Sequence, residues 1–143
     1  MIRAFDRLSV VLAVASKHKT DAPQVVFHKD LFASIVIFFV VCALWGLFLT
    51  IRGQPPSGSY LGALVIGVGL IAIQALSGLV LIVTGYAPHE PLHWLYGFVL
   101  LFTIPVAYGA WAQRNNDRWA SFFYALGCIL IVVIAVVRSK ATG

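Results

Sequence analysis

A long uncharged segment constrains this chain more than any other feature of its sequence. Residues 60–84 contain no Asp, Glu, Lys or Arg. A helix of about 20 apolar residues is enough to cross the roughly 30 Å hydrocarbon core of a bilayer. The rest of the chain is similar, with 61% hydrophobic and 10% charged residues, whereas soluble domains have about a quarter charged residues. The sequence therefore predicts an integral membrane protein whose main partner is the lipid bilayer.

Turn and helix-start signals divide the chain into an all-α bundle of four transmembrane helices. The dipeptide before Pro23 predicts a helix start, and the glycines and prolines of residues 52–59 predict a turn. A second turn is expected at the polar residues 113–118, and Pro105 is expected to kink the third helix. One transmembrane domain is expected at residues 21–143. Its spans are predicted at about residues 23–51, 60–84, 91–112 and 119–137.

Residues 1–20 are predicted to form an amphipathic helix that lies on the membrane surface. Arg3 and Arg7 lie off the apolar face of this helix. The apolar residues recur at steps of three and four, at Ile2, Phe5, Leu8 and Leu12. A signal peptide is the alternative, because a short apolar run follows a basic start.

The distribution of basic residues predicts the orientation of the chain. The side that holds both termini carries Arg3, Arg7, Lys17, Lys19, Lys29, Arg138 and Lys140, and the other side carries Arg52, Arg114 and Arg118. Since Lys and Arg are enriched in cytoplasmic loops, both termini are expected in the cytoplasm, in a bacterial or archaeal plasma membrane. The basic residues form no patch interleaved with exposed aromatics, so no nucleic-acid partner is expected.

One face of the second span contains small residues and a single polar side chain. Gly67, Gln74, Gly78 and Gly85 lie within about 40° of one another on a helix. Small residues allow another helix to approach closely in lipid. Gln74 needs a hydrogen-bond partner at this depth, which would be a neighbouring helix or a buried ligand.

The sequence shows no arrangement typical of catalysis. No nucleophile–base pair, carboxylate pair, phosphate loop or thiol motif is present, so no catalytic activity of its own is expected. Cys42 and Cys128 lack metal-site spacing and are interpreted as small buried residues. All acidic residues lie outside the apolar segments. Transporters and proton pumps commonly place an ionisable residue at mid-membrane, so these functions are disfavoured.

Two histidines on different helices are the best candidates for a binding site. His28 and His93 enter the membrane from the same side at similar depth. Imidazoles from two helices can occupy both axial positions of a haem iron, and Gly97, one turn from His93, would leave room for the macrocycle. Alternatively, the two interfacial histidines only form hydrogen bonds with lipid headgroups, the backbone or each other. A metal between His89 and His93 is a weaker alternative, because Pro91 places His89 in the loop.

A family resemblance adds to this interpretation. Gln74-Ala-Leu-Ser77-Gly78, followed by Thr84-Gly85, Pro88 and Leu92-His93, resembles one half of a haem A synthase, and His28-Lys29 resembles the His-Arg pair of that family. The resemblance covers about residues 27–108. It implies a four-helix bundle with two histidines able to ligate a b-type haem, on the outer side of the membrane, contrary to the charge distribution.

The chain also departs from that family. It contains one four-helix unit instead of two, Val25 stands where the family has an acid, and there is no extracytoplasmic cysteine pair. The catalytic chemistry of the family is therefore not implied.

Together these features predict a small membrane haem b protein or subunit. His28 and His93 would be the axial iron ligands, and Gln74 and Gly97 would line the site. Such a subunit would pass electrons within a respiratory or photosynthetic complex. The alternative is a cofactor-free accessory subunit that packs against a larger membrane complex through the glycine face. A self-associating small transporter is the third choice.

Overall fold

The computed structural model describes residues 22–86, 92–109 and 118–141, and the regular secondary structure of these residues is helical. They form four α-helices in the order α1 (Pro23–Ile51), α2 (Gly58–Val83), α3 (Leu92–Ala107) and α4 (Arg118–Ala141). The predicted all-α class is therefore confirmed. The predicted surface helix at residues 1–20 and the loop that contains His89 lie outside the described residues.

Three of these helices are long and apolar enough to cross a membrane. They are α1, α2 and the part of α4 from Trp119 to Val137. In the third predicted span, the described helix α3 has 16 residues and extends about 24 Å, less than the hydrocarbon core; residues 110–112 of that span lie outside the described residues. Pro105 lies within its last turn and has no N–H to continue the α-helical pattern. Residues 108–109 continue in a wider π-helical turn.

Local sequence explains where α1 and α2 begin and end. Pro23 occupies the first turn of α1, and the Ser57 hydroxyl accepts a hydrogen bond from the Tyr60 amide at the start of α2. Gly53 and Gly85 have φ of 68° and 87°. Each glycine closes its helix in a Schellman motif. The two bonds are Gly53 N to Thr50 O and Gln54 N to Leu49 O after α1, and Gly85 N to Ile82 O and Tyr86 N to Leu81 O after α2.

The core lies mainly between α1, α2 and α4. The interface of α1 with α4 is the most extensive, followed by that of α1 with α2, whereas α3 makes smaller contacts with α4 and α2. Tyr60 and Phe39 are completely buried. A Cβ on Gly67 would lie 2.7 Å from the Phe39 ring, so this glycine of the predicted small face receives an aromatic side chain of α1. Cys42 and Cys128 are buried free thiols in this core.

The two ends of the bundle are held by different polar contacts. At the end that contains the α1–α2 turn, the fully buried Ser121 donates its hydroxyl hydrogen to the Gln54 carbonyl oxygen, 2.9 Å away. At the opposite end, where α1 and α3 begin and α2 ends, His28 lies against α2. The predicted histidine and glutamine residues therefore lie at one end of the bundle.

Candidate functional site

Three helices bring a small group of polar side chains together at the end of the bundle where α1 begins. We call this group the His28 cluster; it consists of His28 from α1, Gln74, Ser77 and Gly78 from α2, and His93 from α3. Because α1 and α2 are antiparallel, the second turn of α1 lies beside the last turns of α2. Gln74, Ser77 and Gly78 share one face of α2 since they are three and four residues apart.

Ser77 determines which nitrogen of His28 carries a hydrogen. The Ser77 hydroxyl donates its only hydrogen to the backbone carbonyl oxygen of Gln74, at 2.8 Å. His28 Nδ1 lies 2.7 Å from the same hydroxyl oxygen. With the hydroxyl hydrogen on the Gln74 backbone carbonyl oxygen, Nδ1 is assigned as the donor and Ser77 Oγ as the acceptor. The hydrogen-bond network therefore assigns a hydrogen to Nδ1.

Gln74 occupies the other nitrogen of the same ring. The Gln74 amide nitrogen lies 3.0 Å from His28 Nε2 and 3.0 Å from the His28 carbonyl oxygen. An amide NH₂ has two hydrogens and accepts none, so it donates to both atoms. The flipped amide would place two carbonyl oxygens against each other. His28 is therefore a neutral imidazole with Nδ1–H, and its Nε2 lone pair faces the Gln74 amide.

Gly78 provides the surface on which the His28 ring lies. A Cβ at Gly78 would lie 3.4 Å from His28 Cε1, which is the ring carbon between the two nitrogens. The nitrogen-bearing edge of the ring thus faces α2. The ring is partly buried, as are Gln74 and Ser77. The cluster therefore fastens the start of α1 to the end of α2.

His93, from α3, lies near His28. The two ring centroids are 6.3 Å apart and the ring planes make an angle of 42°. His93 is more exposed than His28, because it lies in the first turn of α3, which packs loosely in the bundle. The structure therefore brings together both histidines that the sequence singled out.

The carbonyl oxygen of the Gln74 side chain is buried and accepts no hydrogen bond from the residues that the structure describes. A buried acceptor without a donor costs about 1–3 kcal/mol. The sequence predicted that Gln74 needs a partner at this depth. Its NH₂ group has two acceptors on His28, whereas its Oε1 has none within the described ranges.

Gly97 and Gly85 are placed differently from the rest of the cluster. Apart from its chain neighbours and its own helix backbone, neither glycine has a described atom within 4 Å of the position of a Cβ. Gly97 therefore contacts no other described helix at this position, and Gly85 ends α2. Ser77 was left out of the predicted site, although its spacing of three from Gln74 was a usable signal.

An apolar groove of about 410 Å³ adjoins the cluster between α1 and α2. Ser77 lies in its wall and so connects the groove with His28. The other lining residues are Gln24, Phe27, Ile73, Leu76 and Val80.

No family model, curated protein or solved structure matches this chain. Within residues 22–86, 92–109 and 118–141, no group of three or more His, Cys, Asp or Glu side chains is close enough together to hold a metal ion. The His89–His93 alternative cannot be placed, because His89 lies outside the described residues. The polar groups of the His28 cluster are two imidazoles, one amide and one hydroxyl.

Proposed function

We propose that this chain is a small integral membrane protein that holds one b-type haem with His28 and His93 as axial ligands. It passes electrons within a larger respiratory or photosynthetic membrane complex. The observation that carries the proposal is the approach of two imidazoles from different helices to a centroid separation of 6.3 Å. Bis-histidine ligation by facing helices is an established way to hold haem in a bundle.

The positions of the two rings support a shared haem iron. His28 and His93 come from different helices, and their ring centroids are 6.3 Å apart. Their imidazoles would hold the iron of a bound haem. Both rings also lie near one end of apolar helices, where the propionates of a haem would reach the polar interface.

The protonation state of His28 supports the same role. A metal-binding histidine needs a lone pair on one nitrogen and commonly donates its other ring N–H to a protein group. His28 has this arrangement, with Nδ1–H bonded to Ser77 and the lone pair on Nε2. The Gln74 amide occupies that lone pair in this structure, so ligation would exchange this hydrogen bond for the bond to iron.

A b-type haem bound here would supply reversible one-electron chemistry at its iron. The chain itself would hold the two imidazoles at a fixed separation and keep water from one side of His28. Ser77 orients the His28 ring, and Gly78 leaves space for it against α2. We place both termini in the cytoplasm, on the side that carries more Lys and Arg.

The absorbance of the purified protein tests the proposal. We expect a reduced b-type spectrum for the wild-type chain and its loss in His28→Ala and in His93→Ala, because each variant lacks one axial ligand. His18→Ala is the matched control, since His18 lies in a basic segment that we expect to be solvated, and it should keep the band. The absence of the reduced b-type absorbance band from the wild-type protein, even after haem is supplied during expression, would contradict the proposal.

A cofactor-free accessory subunit is the second candidate function. The observation that favours it is that both ring nitrogens of His28 are already bonded to α2, so His28 can serve as a clamp between two helices without any ligand. The large apolar side chains exposed on all four helices would then contact lipid and a larger subunit. Co-purification with redox subunits and no bound chromophore would select this function.

A further inference from the structure

We propose that Ser77 and Gln74 act on His28 in opposite senses. Ser77 holds the imidazole in its Nδ1–H form, whereas Gln74 caps the Nε2 lone pair and competes with the ligand for it. The part that concerns the ligand rests on the proposed function. The part that concerns His28 itself holds for the chain without haem.

The first step is the role of Ser77 as a positioning residue. The Ser77 hydroxyl donates its hydrogen to the backbone carbonyl oxygen of Gln74, so the hydroxyl oxygen accepts from His28 Nδ1. This hydrogen bond excludes the alternative form of the ring, in which Nδ1 has the lone pair. Loss of the hydroxyl leaves Nδ1–H without its acceptor, so the ring keeps its Nδ1–H form only through the Gln74 donor on Nε2.

The second step is the double donation by Gln74. One amide hydrogen goes to the His28 carbonyl oxygen and the other to His28 Nε2, each at 3.0 Å. If a ligand takes the lone pair, Gln74 loses only the second of these bonds. The amide is therefore a displaceable cap, and its removal frees the lone pair without removing the group that orients the ring.

These roles predict effects of opposite sign on haem affinity. Gln74→Leu removes the competing hydrogen bond at similar side-chain volume, so we expect haem to bind about 3- to 10-fold more tightly. Ser77→Ala removes the group that orients the ligand, so we expect binding about 10-fold weaker. A purely structural role of both residues would weaken binding in both variants.

The first experiment uses the haem-free chain in lipid nanodiscs with ¹⁵N-labelled histidine, and His28→Gln identifies the His28 resonances. We expect a protonated Nδ1 and an unprotonated Nε2 in the wild type. In Gln74→Leu the Nε2 resonance should move toward that of a lone pair without a hydrogen bond while Nδ1 stays in place. In Ser77→Ala the Nδ1 resonance should move toward that of an N–H without an acceptor, while Nε2 stays unprotonated because Gln74 still donates to it. A protonated Nε2 in the wild type, or an Nε2 resonance unaffected by Gln74→Leu, would overturn the inference.

The second experiment titrates haem b into the same proteins. Ser34→Ala and Gln54→Leu are matched controls, because Ser34 is exposed and bonds only within its own helix and Gln54 has its exposed side chain at the other end of the bundle. Both controls should bind as the wild type does. Weaker or unchanged binding by Gln74→Leu would overturn the inference, provided that the variant is as helical as the wild type; Gln74→Met replaces it if it does not fold.

The two experiments distinguish the failure of this inference from the failure of the proposed function. If the wild-type chain takes no haem, the proposed function fails and the nitrogen resonances alone decide between capping and its absence. If the wild type takes haem and Gln74→Leu binds it less well, the proposed function stands and the capping role is wrong.

Discussion

At the scale of single residues, two glycines of α2 leave space for side chains of α1. Gly67 and Gly78 lie on the same face of α2, but they receive different side chains, the Phe39 ring and the His28 ring. Small residues on a membrane helix usually allow close approach of a second backbone. Here they instead accommodate rings that protrude from α1. The small-residue pattern in the sequence therefore identified the contact face, but it did not identify what fills it.

Gly67→Ala is expected to destabilise the bundle by about 1–3 kcal/mol, because the added Cβ would lie 2.7 Å from the Phe39 ring in the packed core. Gly62→Ala is the control on the same helix, since a Cβ there meets no described atom within 4 Å and alanine favours the helix. Thermal unfolding in a fixed detergent compares the two. Equal midpoints for both variants would contradict the packing of Phe39 against Gly67.

At the scale of helices, the ends are determined by local sequence, whereas their contacts are not. Ser57, Gly53 and Gly85 form caps that follow from residue type alone. By contrast, the contact of Gln74 with both Nε2 and the carbonyl oxygen of His28 requires a particular rotation of α1 against α2. Hydropathy periodicity does not contain that information. This is why Gln74 was predicted to need a partner that the sequence could not name.

Gly85→Ala is expected to weaken the end of α2 by about 1–2 kcal/mol, because the residue has a φ of 87°, which costs this much for a side chain with a Cβ. Gly85→Asn should cost less, since asparagine tolerates this conformation better. Hydrogen exchange of the last turn of α2 measures the difference. If alanine were tolerated as well as asparagine, the Schellman ending of α2 would be wrong.

At the scale of the whole molecule, hydropathy predicted most of the architecture. The all-helical class and the apolar character of α1, α2 and α4 follow from long segments without charge. The conformation around Pro105 could not be predicted as well. Pro105 is compatible with a kink inside a longer helix or with the approach of a helix end. The α-helical part of α3 reaches Ala107, and residues 108–109 form a π-helical turn.

The chain is expected to stay in the membrane fraction after alkaline carbonate washing and to be released by detergent, because α1, α2 and α4 are long and apolar enough to cross the bilayer.

We also expect protease to remove tags at both termini in inverted vesicles and not in right-side-out vesicles, since the side that holds both termini carries more Lys and Arg. The opposite result would favour the orientation that the resemblance to haem A synthases implies.

The extensive interface between α1 and α4 has a consequence for synthesis. These two helices are separated in the chain by the whole of α2 and α3, yet they share the largest contact in the bundle. Contacts between distant segments form late because the intervening chain must be ordered first. During translation, α1 therefore gains its principal neighbour only after α4 has been synthesised. A chain that stops before α4 would leave the α1 side of this interface uncovered.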